Sequence, residues 1–498
     1  MDNPKNLSRN RLPVGHFFVL VAVVLALWPA PEARATDYYV AKDGADANDG
    51  ISPASPWRTI ARVDRHKFQP GDRVLLRRGD AWREQLIPSS GSQKGCVTYG
   101  AYGSGEKPAL VGSVEKNRPA DWQHEGGNIW STTPPKRTGA LSCDVGNVIF
   151  DHEAACGVKV FEPERMDAQG KFWYDEENHL LKMYSARNPA EYYTDIECAL
   201  CRHIISQSNT GHVTYEGLAL RYGAAHGIGG GNTHHITVRD CDISFIGGGD
   251  QHGGKRTVRY GNGVEFWGGA HDCLVERCRI WEVYDAALTN QNMGAALTQR
   301  DITYRNNLIW NCEYSLEYWN RPAASITRNI RFENNTCVGA GGGWGHAQRP
   351  DPGGRHLCFY SSPADARDIL IRNNIFCGAT NNAFYAPGYT LKDLNALRLD
   401  HNCWYQPAGE MVLLKGARYT MAQFAGYQAG TGQDAHSFVS PPGLVDPAKR
   451  DFHLKPASPC RDAGRDVGSK ADFEGTPVPQ GKAPDIGALK STADGPRS

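Results

Sequence analysis

From about residue 212 onward the chain repeats one hydrophobic pattern. Segments 236–243, 274–280, 302–309, 330–337, 369–376 and 397–404 each alternate apolar and polar residues and then turn. Such alternation marks a half-buried strand. Aligned, the segments place Cys241, Cys278, Asn307, Asn335, Asn374 and Asn402 in one column, at steps of 28 to 39 residues. That step is the size of one solenoid turn plus loops of variable length. Each turn then buries its inward residues only against the turns above and below. The column residue is expected to take the left-handed bend, which Asn tolerates, and to hydrogen-bond along the stack. Hairpins do not explain the pattern, because no Asn-Gly type turn joins consecutive strands.

A second strand follows in each turn, at 227–229, 263–267, 286–290, 315–319, 356–360 and 382–385. With Val264, Phe266, Leu316 and Tyr318 pointing in, Glu265 and Glu317 point out on one sheet, two turns apart. The pattern predicts an all-β chain: a right-handed parallel β-helix (solenoid) with an N-terminal cap and an inserted small β-rich subdomain. The expected divisions are a signal peptide at 1–35, cap and first turns at 36–111, the insert at 112–200, the central β-helix at 201–404, C-terminal turns and cap at 405–490, and a disordered tail at 491–498.

Composition sharpens this. Glycine, at 55 of 498 residues, suits many short strands and turns. Lys plus Arg equals Asp plus Glu at 54 each, a balance that argues against a nucleic-acid partner. Lys5, Arg9 and Arg11 precede an apolar run from Phe17 to Trp28, and Ala33-Arg34-Ala35 offers a cleavage site. This reads as a cleavable secretory signal, too short to span a bilayer, so a secreted or periplasmic monomer with no membrane segment after cleavage is expected. Fourteen cysteines in an exported chain raise the question of disulfides. Cys198 and Cys201 form a lone CxxC, and several others fall at solenoid core positions, so at most one or two bridges are expected.

The termini carry a family resemblance. Tyr38-Tyr-Val-Ala-Lys-Asp-Gly, then Asn48-Asp-Gly50 and Ser55-Pro-Trp-Arg-Thr-Ile60, resembles the opening of secreted pectate-lyase-like β-helix carbohydrate-active proteins. Gly71-Asp-Arg-Val-Leu-Leu76 is similar to their next strand, and Ser458–Gly464 with Asp485-Ile-Gly487 to their closing segment. The resemblance implies a polysaccharide or oligosaccharide partner, and an active site on the sheet that holds Glu265 and Glu317. It selects no reaction.

Glu265 and Glu317, with Asp285 in the turn between them, are the expected catalytic carboxyls of a glycoside hydrolase. Trp267, Trp319 and Tyr284 are expected to raise a carboxyl pKa by desolvation, and Asn290 to bind substrate beside them. The glycine-rich loop 247–260 supplies His252, Lys255, Arg256, Arg259 and Tyr260, the chemistry of a polysaccharide lyase or uronan epimerase. Loop 341–350 offers Trp344 as a sugar platform, with His346 and Arg349 as polar contacts. A non-catalytic glycan-binding surface protein is the third reading. No catalytic metal is expected: His234 and His235 are adjacent on a strand and read as facing opposite sides, and Asp240 and Asp242 as facing solvent. Asp46, Asn48 and Asp49 are a possible structural Ca²⁺ set.

Overall fold

The computed structural model describes residues 35–133, 141–252, 258–390 and 393–491. The expected signal peptide up to Arg34, Lys255 and Arg256, and nearly all of the expected tail lie outside them. Among the described residues, three long sheets run through the molecule. One has ten strands, all parallel, from Asp37–Val40 to Leu397–Asp400. A second has fourteen strands, and a third nine, from Ile205–Ser206 to Ala417–Tyr419. The chain visits the three in turn, so each coil pairs in parallel with the next: this is a parallel β-helix.

Alternation decides what faces in. Tyr215, Val238, Val275, Tyr304, Phe332, Ile371 and Leu399 stack in register through the ten-stranded sheet. All are buried in one continuous core. Each such side chain contributes roughly 1.5–3 kcal/mol of apolar burial.

The expected ladder is present. Asn307 Nδ2 donates to Asn335 Oδ1 (3.0 Å), Asn335 to Asn374 (3.1 Å) and Asn374 to Asn402 (3.1 Å). The bend, however, is carried by the preceding residue. Asp240, Arg277, Asn306, Asn334, Asn373 and His401 have φ between 51° and 55°, whereas the ladder residues do not have positive φ. The ladder Asn is selected for its amide, which bonds to the next Asn and to a backbone carbonyl one turn back. Asn335→Ala is therefore expected to cost roughly 3 kcal/mol, since it strands several buried groups at once; a urea-unfolding midpoint unchanged from wild type would contradict this.

A second left-handed column, His212, His235, Asp272, Asp301, Asn329 and Asp368, lies near the start of the same strands. It breaks local alternation. His234 and His235, expected on opposite faces, bring their Nδ1 atoms to 3.1 Å. Asp242 is also not solvated: Lys107 and Arg279 hold its buried carboxylate at 2.8 and 2.7 Å.

Between the first turns and the central helix, residues 122–184 supply a five-stranded, largely antiparallel sheet with its own core around Trp122, Phe172 and Met183. All fourteen cysteines are free thiols, and Cys241, Cys278, Cys312 and Cys337 are core residues. In the N-terminal loop, Asp46 accepts from Arg58 N, Thr59 N and Thr59 Oγ1, and Asp49 from Ser55 Oγ. Asn48 donates to Pro56 O. These bonds close the loop. No helix among the described residues is long and apolar enough to cross a membrane.

Candidate active site

The nine-stranded sheet sets the site by register. Glu265 pairs with Thr289, and Thr289 with Glu317, so the two Glu occupy one outward column two strands apart. Their inward neighbours Val264, Phe266, Leu316 and Tyr318 lock this orientation in the core. One residue row along, Trp267, Gln291 and Trp319 form the parallel outward column. Asp285 immediately precedes the strand between them, Ala286–Asn292.

These groups line one cleft of about 450 Å³, with His203, His226, Tyr260 and Asn262. The indoles of Trp267 and Trp319 meet edge to face at 6.0 Å. The carboxylates are not solvated: Glu265 and Glu317 are only 7% and 6% exposed. Burial raises the Glu265 carboxyl to about 7, against the opposing hydrogen bond from Asn262. Glu317 is pushed well above the ordinary range, first by burial and then by the negative field of Asp285. Asp285 is raised by burial too, opposed chiefly by Arg349, whose Nη1 lies 3.4 Å from it. Gln291 Nε2 donates to Glu317.

Glu265 is held by two donors absent from the sequence-derived set. Asn262 Nδ2 donates to Glu265 Oε2 at 3.0 Å, and Asn262 Oδ1 is fixed by Ala286 N. His226 Nε2 lies 3.0 Å from the same carboxylate oxygen. The His226 Nδ1 accepts from Asn262 N at 2.9 Å, which puts the ring proton on Nε2, toward Glu265. Burial drops His226 to about 3, so it acts as a neutral donor. His203 stacks on it at 4.8 Å and is itself lowered to about 4 by burial. A signal for the pair was available: His226 and Asn262 each stand two residues before the paired core positions Ile228 and Val264.

Other expected site residues go elsewhere. Asn290 pairs in register with the inward Phe266 and Tyr318, and its amide donates to Gln299 inside the core; it cannot touch a ligand in the cleft. Alternation assigns the outward place to Gln291. Arg259 is buried, donating to Gly248 O, Gly146 O and Gln348 Oε1, with its guanidinium 4.6 Å from the Tyr284 ring. It clamps the base of loop 247–260, where Gly249–Asp250 pairs with Arg259–Tyr260. Gly247 and Gly261 cross there so closely that a Cβ on Gly261 would lie 2.2 Å from the Gly247 Cα. Of that loop, Tyr260 lines the cleft, 5.1 Å from the His226 ring, while His252 is exposed outside it.

Trp344 is not an open platform either. Its Nε1 donates to Glu282 O and its ring packs 5.5 Å from Tyr284. His346 Nδ1 meets the buried Glu313 at 2.9 Å. Arg349 donates to Tyr284 O and reaches Asp285. Loop 341–350 is thus docked behind the cleft and touches it through Arg349 alone of these three. Tyr284 packs with this loop and is not among the groups that line the cleft.

No family model matches the chain. A lacto-N-biosidase of Bifidobacterium longum is 31% identical over 98 residues, 18% of this chain; the match spans only 6% of that protein's length. An uncharacterised Bacillus subtilis protein, YwoF, is 22% identical over 486 residues, covering 89% of this chain and 97% of its own. Among solved structures, a pectate lyase superposes with a TM-score of 0.47 at 12% identity, covering 92% of this chain and 96% of its own. The parallel β-helix expected from the repeat is the fold that the sheet topology shows.

Proposed function

We propose that this protein is a secreted polysaccharide-active enzyme, a glycoside hydrolase in which Glu317 is the general acid and Glu265 the general base. The observation that carries this reading is the convergence of two buried Glu carboxyls and the partly buried Asp285 in one cleft walled by two tryptophans. The stretch shared with a lacto-N-biosidase supports a glycan substrate.

The roles follow from environment. Arg349 favours the charged form of Asp285, and Asp285 in turn disfavours ionisation of Glu317, so the proton rests on Glu317. Glu317 can then protonate the departing glycosidic oxygen. Glu265, with a pKa of about 7 and two neutral donors on one oxygen, is poised to take a proton from water. Two strand spacings put the two backbones about 9–10 Å apart. That supports the inverting geometry, which holds its carboxyls at about 6.5–9.5 Å with a water between them. Trp267 and Trp319 offer apolar faces for sugar rings.

The lyase or epimerase reading keeps Tyr260, which does line the cleft. Of its cations, Lys255 and Arg256 lie outside the described residues, and Arg259 is spent on backbone carbonyls. The test is a panel of polysaccharides and oligosaccharides read for new reducing ends, for ultraviolet-absorbing unsaturated ends, and for the anomer first released. New reducing ends with inverted configuration are expected. Unsaturated ends would replace the proposal by a lyase, and binding without cleavage by a glycan-binding protein.

A further inference from the structure

On the ten-stranded sheet, away from the strands that carry the carboxylates, imidazoles from successive turns gather at one place. His212 lies on Gly211–Glu216; His234 and His235 begin His234–Arg239, which pairs with it in parallel register. Two physical causes bring them together. His212 and His235 both have left-handed backbones, with φ of 57° and 53°, which turns the His235 ring to the side of His234. Gly211 leaves room beneath: a Cβ there would lie 2.2 Å from the His234 ring. The rings of His212 and His235 stack at 4.3 Å, and His212 and His234 meet edge to face at 5.2 Å.

We infer that His212, His234 and His235 form a binding site for a borderline divalent transition-metal ion such as Zn²⁺, bridging two turns of the β-helix. One nitrogen from each lies within 4.8 Å of the others, and the His234–His235 pair is at 3.1 Å. An ion bound tetrahedrally at 2.0–2.1 Å holds its nitrogens about 3.4 Å apart, so only side-chain rotation is needed to close the set. An all-imidazole donor set selects Zn²⁺, Ni²⁺ or Cu²⁺ over the oxygen-seeking Ca²⁺ and Mg²⁺. His271 stacks on His234 at 5.2 Å, but its Nδ1 is engaged by Asp272 (2.6 Å) and Arg300 (3.2 Å). His235 also lies within 4.8 Å of ligand atoms on His271 and Asp272, but those two are committed to each other and to Arg300, so solvent completes the coordination on the side of the exposed His235. The bound ion would tie one turn to the next, and so stabilise the fold by mass action.

The full chain, stripped of metal, is titrated with Zn²⁺ by calorimetry and with Co²⁺ by visible absorption. One saturable Zn²⁺ equivalent, Co²⁺ bands displaced by Zn²⁺, and a Tm rise of ~3 °C or more at excess Zn²⁺ are expected. His212→Ala, His234→Ala and His235→Asn should each weaken binding at least tenfold; Asn at 235 keeps a residue that tolerates the left-handed backbone. His271→Ala should retain binding, as should His436→Ala in the separate Asp400–His401–His436 group. The proposal is overturned by no saturable binding, by wild-type affinity in the first three variants, or by loss of binding only in His271→Ala or His436→Ala.

Discussion

Glu317→Gln is expected to lower kcat/KM on the cleaved glycan by about a thousandfold, within the range that general acid catalysis supplies. The amide is nearly isosteric, and its oxygen can still accept from Gln291 Nε2 where the carboxyl did. The inward neighbours Leu316 and Tyr318 are untouched, so the strand stays in place. What disappears is the proton. Burial and the negative field of Asp285 both favour that proton on Glu317. A substrate with a good leaving group, which needs no protonation, should lose far less. The comparison of the two substrates is the check: equal losses on both would remove Glu317 from the role of acid.

Glu265→Gln should abolish turnover and, unusually for a core-contacting substitution, stabilise the protein at alkaline pH. The sign follows from linkage. The Glu265 carboxyl rises from 4.5 to about 7 in the folded state. Between those pH values the native protein keeps a proton that the unfolded chain has released, so native stability declines as pH rises through the window. Above it the cost is complete, at about 3 kcal/mol. Below pH 4.5 both states are protonated and the cost is absent. The Gln variant carries no charge to bury, so its advantage over wild type should be nil at pH 4, grow through neutrality, and level off near pH 8. Denaturant midpoints measured at those pH values test this; a difference independent of pH would contradict it. The same titration sets the acid limb of activity near pH 7, because the base must be ionised to work.

Much of this was legible in the chain because a solenoid is a local code. Inward and outward positions follow from alternation within five or six residues, and the repeat step superposes one turn on the next. The Asn307–Asn402 ladder, the second strand column, and the shared column of Glu265 and Glu317 all come from that code. Asn290 belonged to the same code, and the alternation that places Glu317 outward also sends Asn290 in, against Phe266 and Tyr318.

Other features depended on contacts that alternation does not describe. Arg259 is drawn inward by a carbonyl 113 residues away in the insert, at Gly146. Trp344 follows Glu282, 62 residues before it. His226 becomes a donor to Glu265 because Asn262, 36 residues on, occupies its other nitrogen. The meeting of His234 and His235 rests on a positive φ that a strand pattern excludes. The sequence by itself therefore determined the β-helix, its ladder, and which sheet presents two carboxylates. Only the tertiary structure decided that those carboxylates are buried, which neighbours set their protons, and that Arg259 turns away from the cleft. The physical reason is that alternation orients a side chain, whereas its pKa and partners depend on everything packed around it.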